Sequence, residues 1–229
     1  MTLKFNLFNP YGGVAALCKA LVLMAALLFA AASGAQERPL RILAFGDSLT
    51  QGYGLIEQNG FVPQLQDWLD ARGAGAVVVN GGVSGDTTAG GAARIGWSLT
   101  PDVGAMILAL GGNDMLRGLD PAQVRANLES IIETAQAKGL PVLLVGMVAP
   151  GNYGAGYKAE FDGLYPALAE QHDLLFARDF LGPLKGAPED GLDDMQPDGI
   201  HPDAKGVQRI VKALGPKVLK LVERARLSE

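Results

Sequence analysis

A chain of 229 residues with 48% hydrophobic and 19% charged side chains carries too much apolar material for a disordered or fibrous protein. That length buries one core without help from disulfides or metals. A formal net charge of −5 argues against nucleic acid, or any other polyanion, as the main partner.

The chain opens on a segment of different character. Lys4 and Lys19 precede an uncharged apolar run from Ala20 to Ala32, and Ser33, Gly34 and Ala35 follow it. A basic start, an apolar centre and small residues at a cleavage point describe a secretory signal peptide over residues 1–35. The uncharged stretch from Ala20 to Ala35 is shorter than the roughly 20 residues a spanning helix needs. Cleavage and a periplasmic or secreted location are therefore expected, with no stable membrane anchor. Cleavage would remove two lysines and no acid, taking the net charge from −5 to −7. It would also remove Cys18, the only cysteine, leaving no thiol for a disulfide or a nucleophile.

Residues 36–229 read as one domain. Leu40–Phe45, Val77–Asn80, Val103–Leu110 and Pro141–Val148 are near-continuous apolar runs, as in strands buried on both faces, and Leu174–Ala177 is a weaker fifth. Helical patterns fill the gaps at Phe61–Arg72, Thr88–Leu99, Pro121–Lys138 and Tyr157–His172, and Ala204–Arg224 closes the chain. The third helix is the best marked: Asp120 can cap it, Pro121 suits its first turn, and Val124, Leu128, Ile131 and Ala135 recur at helical spacing. Alternating strands and helices predict a three-layer α/β/α sandwich around a central, mostly parallel five-stranded sheet. Ligands of such sheets bind at the carboxyl ends of the strands.

Polar clusters stand at those ends. Gly46-Asp47-Ser48-Leu49-Thr50 follows the first strand, Asn80 to Thr87 the second and Gly111-Gly112-Asn113-Asp114 the third; Asp198-Gly199-Ile200-His201-Pro202 precedes the last helix. Each alone has an ordinary explanation: a turn serine or helix cap, a turn glycine, an asparagine holding its own loop. Together they hold what ester hydrolysis needs, namely a hydroxyl nucleophile, a base, a group to orient the base, and oxyanion donors. Of the two histidines, His172 falls at a helix end where a solvated surface role is expected. His201 stands three residues after Asp198, a spacing that lets a carboxylate meet one ring nitrogen while the other faces a serine.

These four blocks resemble the SGNH, or GDSL, hydrolase superfamily, from about Arg41 to Val222. More narrowly, Leu110 to Gly118 and Ala149 to Gly154 resemble its periplasmic acyl thioesterase, lysophospholipase and arylesterase branch. The resemblance implies a flavodoxin-like fold and a serine hydrolase of carboxylic esters or thioesters that forms an acyl-enzyme. Ser48 would be the nucleophile, His201 the base and Asp198 its orienting acid. The backbone N–H groups of Ser48 and Gly85 and the side-chain amide of Asn113 would form the oxyanion hole. Asp47 is expected to brace its loop. Asp193, Asp194 and Asp203 are nearby acids whose offsets from His201 fit less well than that of Asp198. No G-x-S-x-G elbow is present, because Leu49-Thr50 follows Ser48.

Nothing calls for a cofactor. No CxxC pair, HExxH or glycine-rich phosphate loop occurs. The partner expected is a small acyl ester or thioester, with Met115, Leu116, Leu119, Tyr153 and Tyr157 as candidate walls of an acyl pocket, or else as side chains that only cover the core. The competing enzymatic reading is a carbohydrate or peptidoglycan O-acetyl esterase. A non-catalytic scaffold on the same fold would need the nucleophile, the base or an oxyanion donor to be missing.

Overall fold

The computed structural model describes residues 38–185 and 194–228. The expected signal peptide and Asp193 lie outside the described residues. Strands β1 (Leu40–Gly46), β2 (Ala76–Gly82), β3 (Val103–Ala109), β4 (Val142–Val145) and β5 (Leu175–Ala177) form one sheet in the order β2-β1-β3-β4-β5. Every pairing is parallel, so the sheet expected to be mostly parallel is wholly so. The inner strands read as unbroken apolar runs because helices cover both their faces: Ile42, Ala44 and Phe45 of β1 and Met106 and Leu108 of β3 are fully buried.

The register fixes where the loops begin. Gly46 of β1 stands opposite Gly82 of β2 and Ala109 of β3, so the three strands end level. The chain leaves β1 toward β2 on one side and reaches β3 on the other. The crevice at that reversal is where an open α/β sheet binds its ligands.

Seven α-helices lie among the described residues: α1 (Ser48–Gln51), α2 (Phe61–Asp70), α3 (Thr88–Ser98), α4 (Gly112–Leu116), α5 (Pro121–Gln136), α6 (Gly154–Gln171) and α7 (Ala204–Arg226). Helices α2 and α7 pack together, and α3, α5 and α6 pack in a row, completing the three layers. The buried stripe of α7 runs Val207, Ile210, Val211, Leu214, Val218, Leu221 and Val222, at the spacing of one helix face. Helix α5 starts as expected, with the Ala122 N–H donating to Asp120 Oδ1 at 2.9 Å. At the start of α7 the N–H groups of Lys205 and Gly206 both donate to Asp203 Oδ1 at 2.8 Å, so Asp203 is occupied as a helix cap.

The sequence pattern misses α1 and α4. They have four and five residues, too few to show an apolar period. They follow β1 and β3 directly and carry Ser48 and Asn113.

Candidate active site

The first loop is set by Asp47. Its Oδ1 accepts the Leu49 N–H at 3.0 Å, which makes Asp47 the N-cap of α1 and Ser48 the first residue of that helix. The Ser48 N–H therefore stands in a first turn, where the helix supplies no acceptor. In the second loop Gly85 has φ +77°, a left-handed conformation open to glycine at little cost. A Cβ there would meet nothing within 4 Å, so the conformation, not crowding within the protein, calls for glycine. In the third loop Gly111 has φ +120°, and a Cβ would lie 2.2 Å from Tyr165 Oη. That hydroxyl donates to the Leu110 carbonyl at 3.0 Å, holding the chain as it turns into α4 and Asn113.

The segment before α7 completes the arrangement. His201 Nε2 lies 2.9 Å from Ser48 Oγ, and His201 Nδ1 lies 2.7 Å from Asp198 Oδ2. The other carboxylate oxygen, Oδ1, accepts the backbone N–H groups of Ile200 at 2.9 Å and His201 at 3.0 Å. Asp198 thus folds its own loop and meets the imidazole at once. These bonds to His201 and Ile200 hold its carboxyl down at about 2, against an ordinary 3.8. The Tyr53 ring packs against the imidazole with centroids 4.6 Å apart. Of the competing acids in the described residues, Asp194 pairs with Arg209 and Asp203 caps α7.

Asp47 has the opposite electrostatics. It is 1% exposed, and burial pushes its carboxyl up from 3.8 to about 6. Leu49 N–H and His201 oppose the rise, while Asp86 and Asp114 add to it.

Ser48, Gly85, Asn113, Asp198 and His201 all border one cavity of about 810 Å³. Of the expected acyl-pocket residues, Met115 and Leu116 line it; Leu119, Tyr153 and Tyr157 do not. The tyrosines instead begin a row of rings through Tyr157, Phe161 and Tyr165, with centroids 5.2, 5.8 and 5.7 Å apart. Helix α6 begins at Gly154, three residues before the expected Tyr157, and the spacing of four carries the rings from Tyr157 inward to the buried Phe161 and Tyr165, while Tyr153 stays exposed before the helix. Apolar walls that local sequence does not reveal come from Met147, after β4, and Leu181, after β5. His172 is placed away from this cavity, as expected, but is not solvated: its side chain is 11% exposed, between Glu129 (3.3 Å) and Gln136 (3.2 Å) of α5.

Two buried polar groups behind the site have roles that motif reading does not give. Asp114, 1% exposed, accepts from Thr88 N–H at 2.9 Å and Thr88 Oγ1 at 2.7 Å, tying α4 to the start of α3. Arg94, 9% exposed, is the only charged residue of α3. A lone charge in a helix of small and apolar residues is the signal that marks it.

Known proteins share this sequence pattern and this fold. Residues 44–209 match the GDSL-like Lipase/Acylhydrolase family. The chain is similar to Esterase TesA of Pseudomonas aeruginosa, 39% identical over 79% of this chain and 89% of that one. It is also similar to Thioesterase 1/protease 1/lysophospholipase L1 of Escherichia coli, 34% identical over 71% of this chain and 75% of the other. The crystal structure of AlinE4, an SGNH-hydrolase family esterase, superposes with a TM-score of 0.67 at 45% identity, covering 81% of this chain and 97% of AlinE4.

Proposed function

The chain belongs to the GDSL-like lipase/acylhydrolase family, and we propose that Ser48, His201 and Asp198 are the triad with which it cleaves carboxylic esters and thioesters. Its relatives are a named esterase, a thioesterase/lysophospholipase and an SGNH esterase; the protein is a carboxylic ester hydrolase acting on small-molecule substrates. The observation that supports the residue roles above all is the unbroken relay from Asp198 through His201 to Ser48, at 2.7 and 2.9 Å, opening on a cavity with apolar walls.

The steps follow from the atoms. With its proton on Nδ1 facing Asp198, the imidazole presents Nε2 as acceptor to the Ser48 hydroxyl. Ser48 Oγ attacks the acyl carbonyl as Nε2 takes its proton, and Asp198 stabilises the imidazolium. The carbonyl oxygen becomes an oxyanion, met by the N–H groups of Ser48 and Gly85 and by the Asn113 amide. One Asn113 N–H already donates to the Asp86 carbonyl at 2.9 Å; an amide NH₂ has a second. Imidazolium returns its proton to the departing alcohol or thiol, leaving an acyl-enzyme. Water, activated by the same imidazole, then releases the acid.

Met115, Leu116, Met147, Leu181 and Ile200 supply apolar wall, which suits an acyl chain better than a sugar. Among the described residues no helix is long and apolar enough to cross a membrane. Export belongs to the same proposal and rests on the basic, then apolar, start of the chain.

The test is a chain-length series of p-nitrophenyl esters beside acyl-CoA, lysophospholipid and an acetylated sugar, run on the wild type and Ser48→Ala. Ser48→Ala should lose roughly 10⁴-fold or more in kcat on every substrate while keeping its fold. Retention of most activity removes Ser48 as nucleophile. A sharp preference for acetyl esters of sugars overturns the acyl-chain reading while leaving the triad intact.

A further inference from the structure

The three oxyanion donors come from three separate loops, and one buried cation joins those loops. The Arg94 guanidinium lies 3.8 Å over the Phe45 ring. Its Nη2 donates to the Gly46 carbonyl at 2.9 Å, its Nη1 to the Gly81 carbonyl at 2.9 Å and its Nε to Asp86 Oδ2 at 2.7 Å. Gly46 stands two residues before Ser48, and Asp86 directly follows Gly85. Asp86 then carries the linkage onward: its backbone carbonyl accepts from Asn113 Nδ2 at 2.9 Å, and its Oδ1 accepts the Thr87 N–H at 3.0 Å.

We propose that Arg94 is a positioning residue that sets the oxyanion hole, fixing the Ser48 loop directly and the Gly85 loop and Asn113 amide through Asp86. The proposal rests on the reading of Ser48, Gly85 and Asn113 as oxyanion donors. Arg94 touches no substrate, since it does not line the cavity. Its own helix needs no charge there. The Arg94 and Asp86 side chains are 11% and 10% exposed, and burying such a pair costs desolvation that well-packed apolar residues would avoid. The gain is geometric. A guanidinium is a planar fork that serves several acceptors in fixed directions, whereas an ammonium is a compact point charge. An oxyanion hole needs that kind of fixity, because its donors act only where charge develops in the transition state.

The experiment compares Arg94→Lys, Asp86→Asn and Asn113→Ala, singly and in pairs with Asn113→Ala, by kcat and KM on one p-nitrophenyl ester, each corrected for folded fraction by circular dichroism. Arg94→Lys keeps the charge, and Asp86→Asn keeps an acceptor for Thr87. Each should lower kcat by roughly 10–100-fold, less than outright removal of a donor, with KM close to wild type. In the Asn113→Ala background both costs should shrink, because groups acting through a shared partner are not additive. If Arg94→Lys does not fold, the Asp86→Asn pair carries the test alone. An unchanged kcat in Asn113→Ala sinks the oxyanion reading itself. A slow Asn113→Ala beside wild-type kcat in the other two, or fully additive losses, overturns the positioning role and leaves Arg94 as a structural residue only.

Discussion

Asp198→Asn separates the two jobs that one carboxylate performs. Oδ1 accepts the N–H groups of Ile200 and His201, and Oδ2 faces His201 Nδ1. In the variant the amide oxygen can keep the two backbone bonds, which turns the NH₂ toward Nδ1. The imidazole must then carry its proton on Nε2, where it donates to Ser48 and cannot act as base. The escape is to flip the amide, presenting oxygen to Nδ1 and the NH₂ to two backbone N–H groups. That loses two hydrogen bonds at about 1 kcal/mol each, so only about 3% of molecules hold the productive tautomer, at 1.36 kcal/mol per tenfold. The neutral amide also stops stabilising the imidazolium. The corresponding change in a fully buried triad costs about 10⁴-fold; the Asp198 side chain is 36% exposed, so water replaces part of the lost field. The expected fall in kcat is roughly 10²–10⁴-fold, or about 3–5 kcal/mol, with a melting temperature near wild type. Initial rates on p-nitrophenyl butyrate at mildly alkaline pH measure it, beside Asp198→Ala, which should be at least as slow and also less stable because its loop loses both backbone bonds. An Asn variant within tenfold of wild type would refute Asp198 as the orienting acid. Stability follows the same carboxylate. Its folded value, about 2, lies below the ordinary 3.8, so its contribution is present above that ordinary value and is lost as pH falls toward 2.

Asp47→Asn should act in the opposite sense. Burial raises the Asp47 carboxyl from 3.8 to about 6, so ionising it costs the folded state, and the wild type loses stability relative to the variant as pH rises through that window. Asparagine keeps the acceptor for Leu49 N–H, and the variant's advantage should grow by about 2 kcal/mol between about pH 4 and pH 8, at 1.36 kcal/mol per pH unit. Urea unfolding at the two pH values reads it, and a pH-independent difference refutes the account. The full chain expressed in a Gram-negative host should appear in the periplasmic or secreted fraction lacking roughly its first 35 residues, the length of a secretory signal. Intact mass of the fractionated protein decides this, and a full-length cytoplasmic product would overturn the export proposal.

The sequence alone determined the alternation of strands and helices, because apolar runs and helical periods are local signals that a few consecutive residues carry. It also set the polar clusters holding Ser48, Gly85, Asn113, Asp198 and His201 after strand ends or before the last helix, and the resemblance to the SGNH hydrolases singled out those five residues within them. Helices α1 and α4 stayed hidden because a single turn has no period to read. Tertiary structure alone decided the rest. It levelled the ends of β1, β2 and β3, so that loops far apart in the chain converge. It paired Asp194 with Arg209, leaving Asp198 for His201. It stacked Tyr157 into the ring row of α6, left Tyr153 exposed against it at the turn before that helix, and brought Met147 and Leu181 to the cavity in place of them. It also turned Arg94, one charge in an otherwise uncharged helix, toward the carbonyls of Gly46 and Gly81. Contacts of this kind depend on how elements pack across the sheet, and no local pattern of residues encodes that distance.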